Sequence, residues 1–277
     1  FKPDFNLDLL RSNNYICHFF AVRKTIIEQV GVLCEEYDGA QDYDFILRCT
    51  EASRKIAHIP RILYHWRIHN SSTADNPSSK LYAYEAGLHA LEAHLKRMNT
   101  IGKVTMRSDY GFYDIEYPLN DTPLVSIIIP NRDQSDSLIK CIDSIINKST
   151  YPSYEIIVVE NNSCEEKTFN TYKKLEQKGV TIVTYPHKTF NYSAINNYGV
   201  KFAHGKYLLL LNNDIEVITP DFIEKMLGNC QRKEVGIVGA KLYYPDNTIQ
   251  HAGVIIGIGG VAGHAFLGLP RFKSGYF

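Results

Sequence analysis

The hydrophobic pattern changes character near residue 123. From Val125 onward, short apolar runs alternate with stretches of helical spacing. VSIII at 125–129, bounded by Pro130, has the form of a buried parallel strand; EIIVV at 155–159, VTIVT at 180–184 and KYLLLL at 206–211 repeat it. Between the runs, Leu138, Cys141, Ile142, Ile145 and Ile146 recur on one helical face, with Ser135 or Asp136 available as cap. Residues 165–178 and 193–204 read as helices, the second stopped by Gly205, and Thr219-Pro220 opens another that runs to about Gln231. This order predicts an α/β fold, a doubly wound, mixed but mostly parallel sheet, with ligands at the carboxyl ends of its strands.

The first hundred residues lack that alternation. They predict a strand at 15–22, helices at 23–30 and 41–53, strand-like runs at 55–59 and 62–69, and a helix at 78–98. Residues 99–122 are mixed and end in Pro118-Leu119-Asn120-Asp121-Thr122-Pro123, which reads as a linker. The expected organisation is thus an accessory lobe at 1–98, a linker at 99–122 and a ligand-binding half at 123–277.

Composition narrows the partners. The 277 residues carry 30 Lys and Arg against 30 Asp and Glu, so no global field draws the chain to nucleic acid, and an anion must be caught locally. Six scattered cysteines without a C-x-x-C pair read as reduced thiols of a cytoplasmic protein. Neither a signal peptide nor an apolar run approaching the roughly 18 residues of a membrane span is present. The start without methionine and the glycine-rich stretch before the end suggest a segment of something longer.

Candidate chemistry gathers where the predicted strands end. The strand closing at Leu211 runs into Asn212-Asn213-Asp214, an amide and a carboxylate suited to a hard divalent cation that bridges a diphosphate, although such residues also simply turn a chain. Pro130-Asn131-Arg132-Asp133 and Glu160-Asn161-Asn162-Ser163 end the first two strands, and Asn191, Asn196 and Asn197 surround the start of a helix able to face an anion. Singly these are loop chemistry; together they favour a nucleotide pocket. On the other side, Gln41-Asp42-Tyr43-Asp44 places two carboxylates at a helix start, where the dipole favours ionisation. Asp42 is then either a cap or a general base, and Asp44 either an acceptor-side group or the partner of Arg48 one turn later. His251 and His264 lack the compact spacing of a zinc site, and Gly257 to Ala262 fits a dinucleotide fingerprint only formally, because glycines and Pro270 occupy the place of its helix.

VSIIIPNRD, EIIVVENNS, FNYSAINN and LLLLNNDIEV, in this order, resemble the donor-binding half of family 2 glycosyltransferases of the GT-A type. The resemblance implies that the first two loops hold base and ribose and that the third is the metal loop. There Asp214 carries most of the metal role, Asn212 standing at the usual first aspartate. Glu160-Asn161 likewise stands where paired aspartates are usual. GAQDYDFILR is similar to the family's acceptor-lobe motif, which makes Asp42 the base and puts Gln41 at the usual glutamate. In YHWRIHNSS, His69 matches a histidine that can complete the metal site, at even weight with a surface histidine, and Trp66 stacks on a sugar or packs in the core. The implied activity is inverting transfer of a sugar from a nucleoside diphosphate donor, a UDP-sugar first, to a glycan acceptor in bacterial surface polysaccharide synthesis, with Mn²⁺ or Mg²⁺.

The halves stand in permuted order, acceptor side before donor side, as if cut from tandem domains. That predicts assembly within one chain or by domain-swapped self-association. Full-length protein at the inner membrane face fits this reading. A nucleotide-binding segment without catalysis, and a nucleotidyltransferase lacking its glycine-rich triphosphate loop, are the competing readings.

Overall fold

The structure, a computed structural model, describes residues 2–65 and 81–273. By its contacts the chain divides into two compact units, residues 1–118 with 239–277, and residues 119–238.

In the first unit, α1 (Leu7–Ser12), α2 (Lys24–Val30), α3 (Gln41–Ala52) and α4 (Leu81–Arg97) precede an antiparallel hairpin, β1 (Lys103–Met106) with β2 (Tyr113–Glu116). The core is made by Leu10, Ile46, Leu47, Ala90, Leu91 and Tyr43, with Val104 and Tyr113 of the hairpin closing it. The hairpin lies inside the stretch read as linker. Val104 and Tyr113 are buried while their strand neighbours are mostly exposed, an alternation too short to stand out among the polar residues around it. Residues 15–22 and 55–59 do not form the predicted strands, nor do 62–65, and the rest of the 62–69 run lies outside the described residues. Apolar, β-branched runs become strands only beside a partner edge, and among the described residues none pairs with them.

The second unit holds β3 (Val125–Asn131), α5 (Ser135–Lys148), β4 (Tyr154–Glu160), α6 (Glu166–Glu176), β5 (Thr181–Thr184), α7 (Tyr192–Val200), β6 (Tyr207–Leu210) and α8 (Phe222–Cys230). Its four strands form one parallel sheet in the order β5-β4-β3-β6, so the α/β reading holds. Alternation separates two faces. Ile127, Ile129, Ile156 and Val158 pack with α5, α6 and α8, whereas Ile128, Ile157 and Val159 pack with Ile195 of α7. Gly199 lets α7 approach the sheet, since a Cβ there would lie 2.7 Å from both Ile128 and Val159. The apolar run of β6 is an edge strand, and Leu208 and Leu210 are about half exposed instead of buried.

Helix ends shift from expectation. Gln134 in the left-handed region precedes α5, in place of a Ser135 or Asp136 cap; α7 gives way to turns after Val200; and Asp221, one residue beyond Pro220, precedes α8. After residue 239 come β7 (Leu242–Tyr243), β8 (Ile249–His251), β9 (Val254–Ile256) and β10 (Ala262–His264), with β7 paired to β8 and β9 to β10. The glycines at 257–260 make the β9–β10 connection with a single 3-10 turn (Ile258–Gly260) and open no α-helix, which disposes of the dinucleotide fingerprint.

Candidate active site

In the sheet unit the parallel register brings the strand ends to one edge, Asn131 opposite Glu160 and Ile128 opposite Leu210. The buried Asn131 amide joins two of the loops. Its Oδ1 accepts from Asn213 Nδ2 at 2.6 Å, and its Nδ2 donates to the Asp133 carbonyl and the Tyr172 hydroxyl, both at 2.8 Å. Asp133 Oδ1 accepts from the backbone N–H groups of Cys164 and Glu165 at 2.9 and 3.0 Å. The Glu165 bond, then the Cys164 bond, lower its pKa. Buried Glu160 accepts from Ser163 N at 2.5 Å, and Asn162, in the left-handed region, donates to the His187 carbonyl at 2.9 Å.

The helix α7 reaches the third loop through the Tyr192 hydroxyl, 3.4 Å from Asn212 Oδ1. Asn191 is its N-cap, accepting from Ala194 N at 2.9 Å, and buried Asn196 donates to its own helix at the Tyr192 carbonyl. Much of the predicted set therefore shapes the loops. Arg132, Asn197, Asn212 and Asp214 are exposed at that edge, and Pro130 is partly exposed within β3. The Asn212 amide and Asp214 carboxylate offer oxygen donors on one short loop, a set that fits a hard cation with a single full negative charge. Tyr172 was not foreseen. On α6 it reads as one more core aromatic, and only folding shows its hydroxyl beside both Asn131 and Ser163.

In the first unit, Ala40 precedes α3 without a side-chain cap, and Asp42 in the first turn is half-buried. Asp42 Oδ2 accepts from Asn14 Nδ2 at 3.0 Å, with the Cys17 thiol 4.0 Å away. Burial, then the Asp42 carboxylate, push the Cys17 thiol above its ordinary range. Gln41 Oε1 accepts from Gly39 N at 2.7 Å. Gly39 has φ +95°, and a Cβ on it would meet Tyr82 and Ala83 at 2.8 Å. Asp42, Gln41, Asn14, Tyr82 and Tyr84 line a cavity of about 510 Å³.

Asp44 points away into the core. Arg48 donates to it from Nη2 and Nε at 2.7 and 2.9 Å, and Arg97 Nη1 lies 3.6 Å off. The i,i+4 partnership with Arg48 was foreseen; what lies beyond it was not. Arg97 also holds Glu51 with two bonds of 2.8 Å, Glu51 Oε1 sits 2.6 Å from His94 Nδ1, and Arg11 Nε donates to His94 Nε2 at 3.1 Å. Because Arg11 can only donate, buried His94 keeps its Nε2 lone pair and carries its proton on Nδ1, toward Glu51. Burial works to raise the Glu51 pKa, but the bonds from His94 and Arg97 outweigh it and leave it lowered. Trp66 and His69 lie outside the described residues. His251 and His264, far apart in sequence, meet with Nδ1 atoms 2.9 Å apart.

A doubly wound parallel sheet with polar loops gathered at its carboxyl edge defines an open α/β class of protein whose ligand sites lie at that edge. Residues 126–257 match the glycosyl transferase family 2 model. That stretch, 132 of the 277 residues, is what the chain shares with the family, and it takes in the parallel sheet from Ser126 onward. It is 45% identical over 283 residues to a Sinorhizobium fredii protein called "Uncharacterized protein y4gI", a match across 100% of this chain and 31% of that protein. It is 43% identical over 271 residues to the O-antigen biosynthesis protein RfbC of Myxococcus xanthus, across 98% of this chain and 21% of the relative. The chain thus spans less than a third of either relative. Among solved structures, a Pyrobaculum calidifontis mannosyltransferase in complex with GDP-Man and Mn²⁺ is similar over 61% of this chain and 47% of its own, at 16% identity and TM-score 0.39.

Proposed function

We propose that the chain serves inverting, metal-assisted transfer of a sugar from a nucleoside diphosphate donor, a UDP-sugar first, to a glycan acceptor of a surface polysaccharide. The observation that carries this reading is the family 2 match over the unit whose strand ends gather Asn131, Asn213, Asn212 and Asp214. Kinship to an O-antigen biosynthesis protein supports the glycan acceptor. The reaction belongs on the cytoplasmic side.

In this reading Arg132, Asn162, Asn197 and Asn213 face base, ribose and diphosphate, and Asn131, Asp133, Glu160, Asn191 and Asn196 hold the loops that present them. Asp214 and Asn212, with His69, would hold Mn²⁺ or Mg²⁺. The cation supplies neutralisation of the charge that develops on the departing diphosphate. Asp42 takes the proton of the acceptor hydroxyl as that oxygen attacks the anomeric carbon from the face opposite the diphosphate. One carbon–oxygen bond forms as the other breaks, and the configuration inverts. The acceptor sugar occupies the cavity beside Asp42, with Tyr82 and Tyr84 as apolar surface. In this reading residues 1–98 serve as the acceptor half and 123–277 as the donor half, in permuted order.

A second reading, nucleotide binding without transfer, draws on the amides Gln41 and Asn212 at the usual carboxylate positions and on Gln41 being engaged with Gly39. One experiment separates the two: UDP-, GDP- and dTDP-sugars are screened by thermal shift with and without Mn²⁺, then donor turnover is measured in Asp42→Asn. Binding kept with turnover lost supports transfer. Turnover unchanged in Asp42→Asn removes the base, and binding with no turnover in the parent chain favours the second reading.

A further inference from the structure

Among the described residues, one cluster brings three unlike metal-ligating groups together. The Cys17 thiol, the His18 imidazole and the Asp42 carboxylate have ligand atoms all within 4.8 Å of one another. Cys17 Sγ is 2.9 Å from His18 Nδ1 and 4.0 Å from Asp42 Oδ2. A tetrahedral Zn²⁺, with sulfur at about 2.3 Å and nitrogen or oxygen at about 2.0–2.1 Å, sets such atoms roughly 3.5 Å apart. The first contact must open and the second close by about half an ångström, and a small rotation of the Cys17 side chain, which both contacts share, moves the sulfur toward Asp42 and away from His18.

We propose that Cys17, His18 and Asp42 form a binding site for a borderline-soft divalent cation of the Zn²⁺ class, with solvent as fourth ligand. Asn14 fastens two of the ligands at once, donating from Nδ2 to Asp42 at 3.0 Å while its Oδ1 accepts from the Cys17 N–H at 3.2 Å. Metal ligands are characteristically oriented by such partners. The Lys2 ammonium binds the carbonyls of Ile16 and His18 and so ties down the turn that carries the thiol and the imidazole. A thiolate in the ligand set selects Zn²⁺ over Mn²⁺ or Mg²⁺, which separates this site from the sulfur-free set proposed around Asp214. On binding, the thiol proton passes to solvent, and thiolate and carboxylate balance the two charges of the ion. An ion held here also takes the Asp42 carboxylate as a ligand and stops it accepting a proton. That consequence, inhibition of transfer by Zn²⁺, rests on Asp42 being the base.

The test is a Co²⁺ titration of the 277-residue chain, read by thiolate-to-cobalt charge-transfer absorption and reversed by Zn²⁺. One equivalent is expected. The band disappears in Cys17→Ser, and affinity falls at least tenfold in His18→Gln, whose exposed side chain leaves folding intact. Cys164→Ser and His264→Gln, which alter an exposed thiol and the imidazole pair elsewhere, leave both signals in place. Absence of the band in the parent chain, or its survival in Cys17→Ser, overturns the site. Zn²⁺ inhibition relieved by His18→Gln supports the site and its consequence together. Zinc bound while Asp42→Asn keeps its turnover upholds the site and removes the base. An inactive Asp42→Asn in a chain that binds no zinc does the reverse.

Discussion

The polar side chains at the sheet edge and those around α3 are satisfied in opposite ways. At the edge, Asp133, Glu160, Asn162 and Asn191 bond mainly to backbone groups of their own or a neighbouring loop, and most of that surface stays wet. Around α3, the Arg11, Asp44, Arg48, Glu51, His94 and Arg97 side chains bond chiefly to one another, some across 83 positions of sequence, with Asp44 and His94 fully buried. The edge is a set of separable shapes, each tolerant of a single loss. The α3 network is coupled, because removing one charge leaves another buried without its counter-charge.

Substitutions sharpen that contrast. Asp42→Asn is expected to lower sugar transfer by about 10²–10⁴-fold, the span of general base catalysis, with nucleotide affinity unchanged; transfer kinetics beside a binding titration check it. Asp44→Ala, two residues along α3 and off the cavity, should cost about 3–5 kcal/mol by leaving Arg48 without its buried counter-charge, and would be read as a lowered urea midpoint. If it costs no more than an exposed substitution, the coupling described above is absent. Tyr172→Phe should cost about 1–3 kcal/mol by taking a partner from the buried Asn131 amide. Asn191→Ala should cost about 1 kcal/mol, the usual effect of losing an N-cap.

Acid provides the mildest probe. Glu51 has a folded pKa below its ordinary unfolded value of 4.5, so its contribution is complete above that value and is lost as the pH falls through the folded one. Urea midpoints measured downward from pH 5 should decline in the parent chain and decline less in Glu51→Gln. Equal slopes would show that Glu51 is not the titrating group.

Legibility followed the same divide. The four strands and four helices of 125–230 lie within a few residues of where periodicity put them, because each carries its own apolar face. The α3 and α4 helices were legible for that reason, and so was Asp44 with Arg48, four residues apart. The runs at 15–22 and 55–59 misled, since a strand needs a partner that local sequence does not name. Spacing along the chain also hid the meeting of His251 with His264, and of Cys17 and His18 with Asp42.

The sequence by itself determined the alternating α/β order, the motifs by which residues 126–257 match the glycosyl transferase family 2 model, and the strand ends on which polar chemistry collects. Tertiary structure alone decided which of those polar groups remain exposed and which are consumed in holding loops. It decided too that an imidazole on α4 and a carboxylate at the end of α3 share one proton-bearing contact. Periodicity is written into neighbouring residues, whereas a hydrogen bond between distant ones exists only after the chain has closed the loop between them.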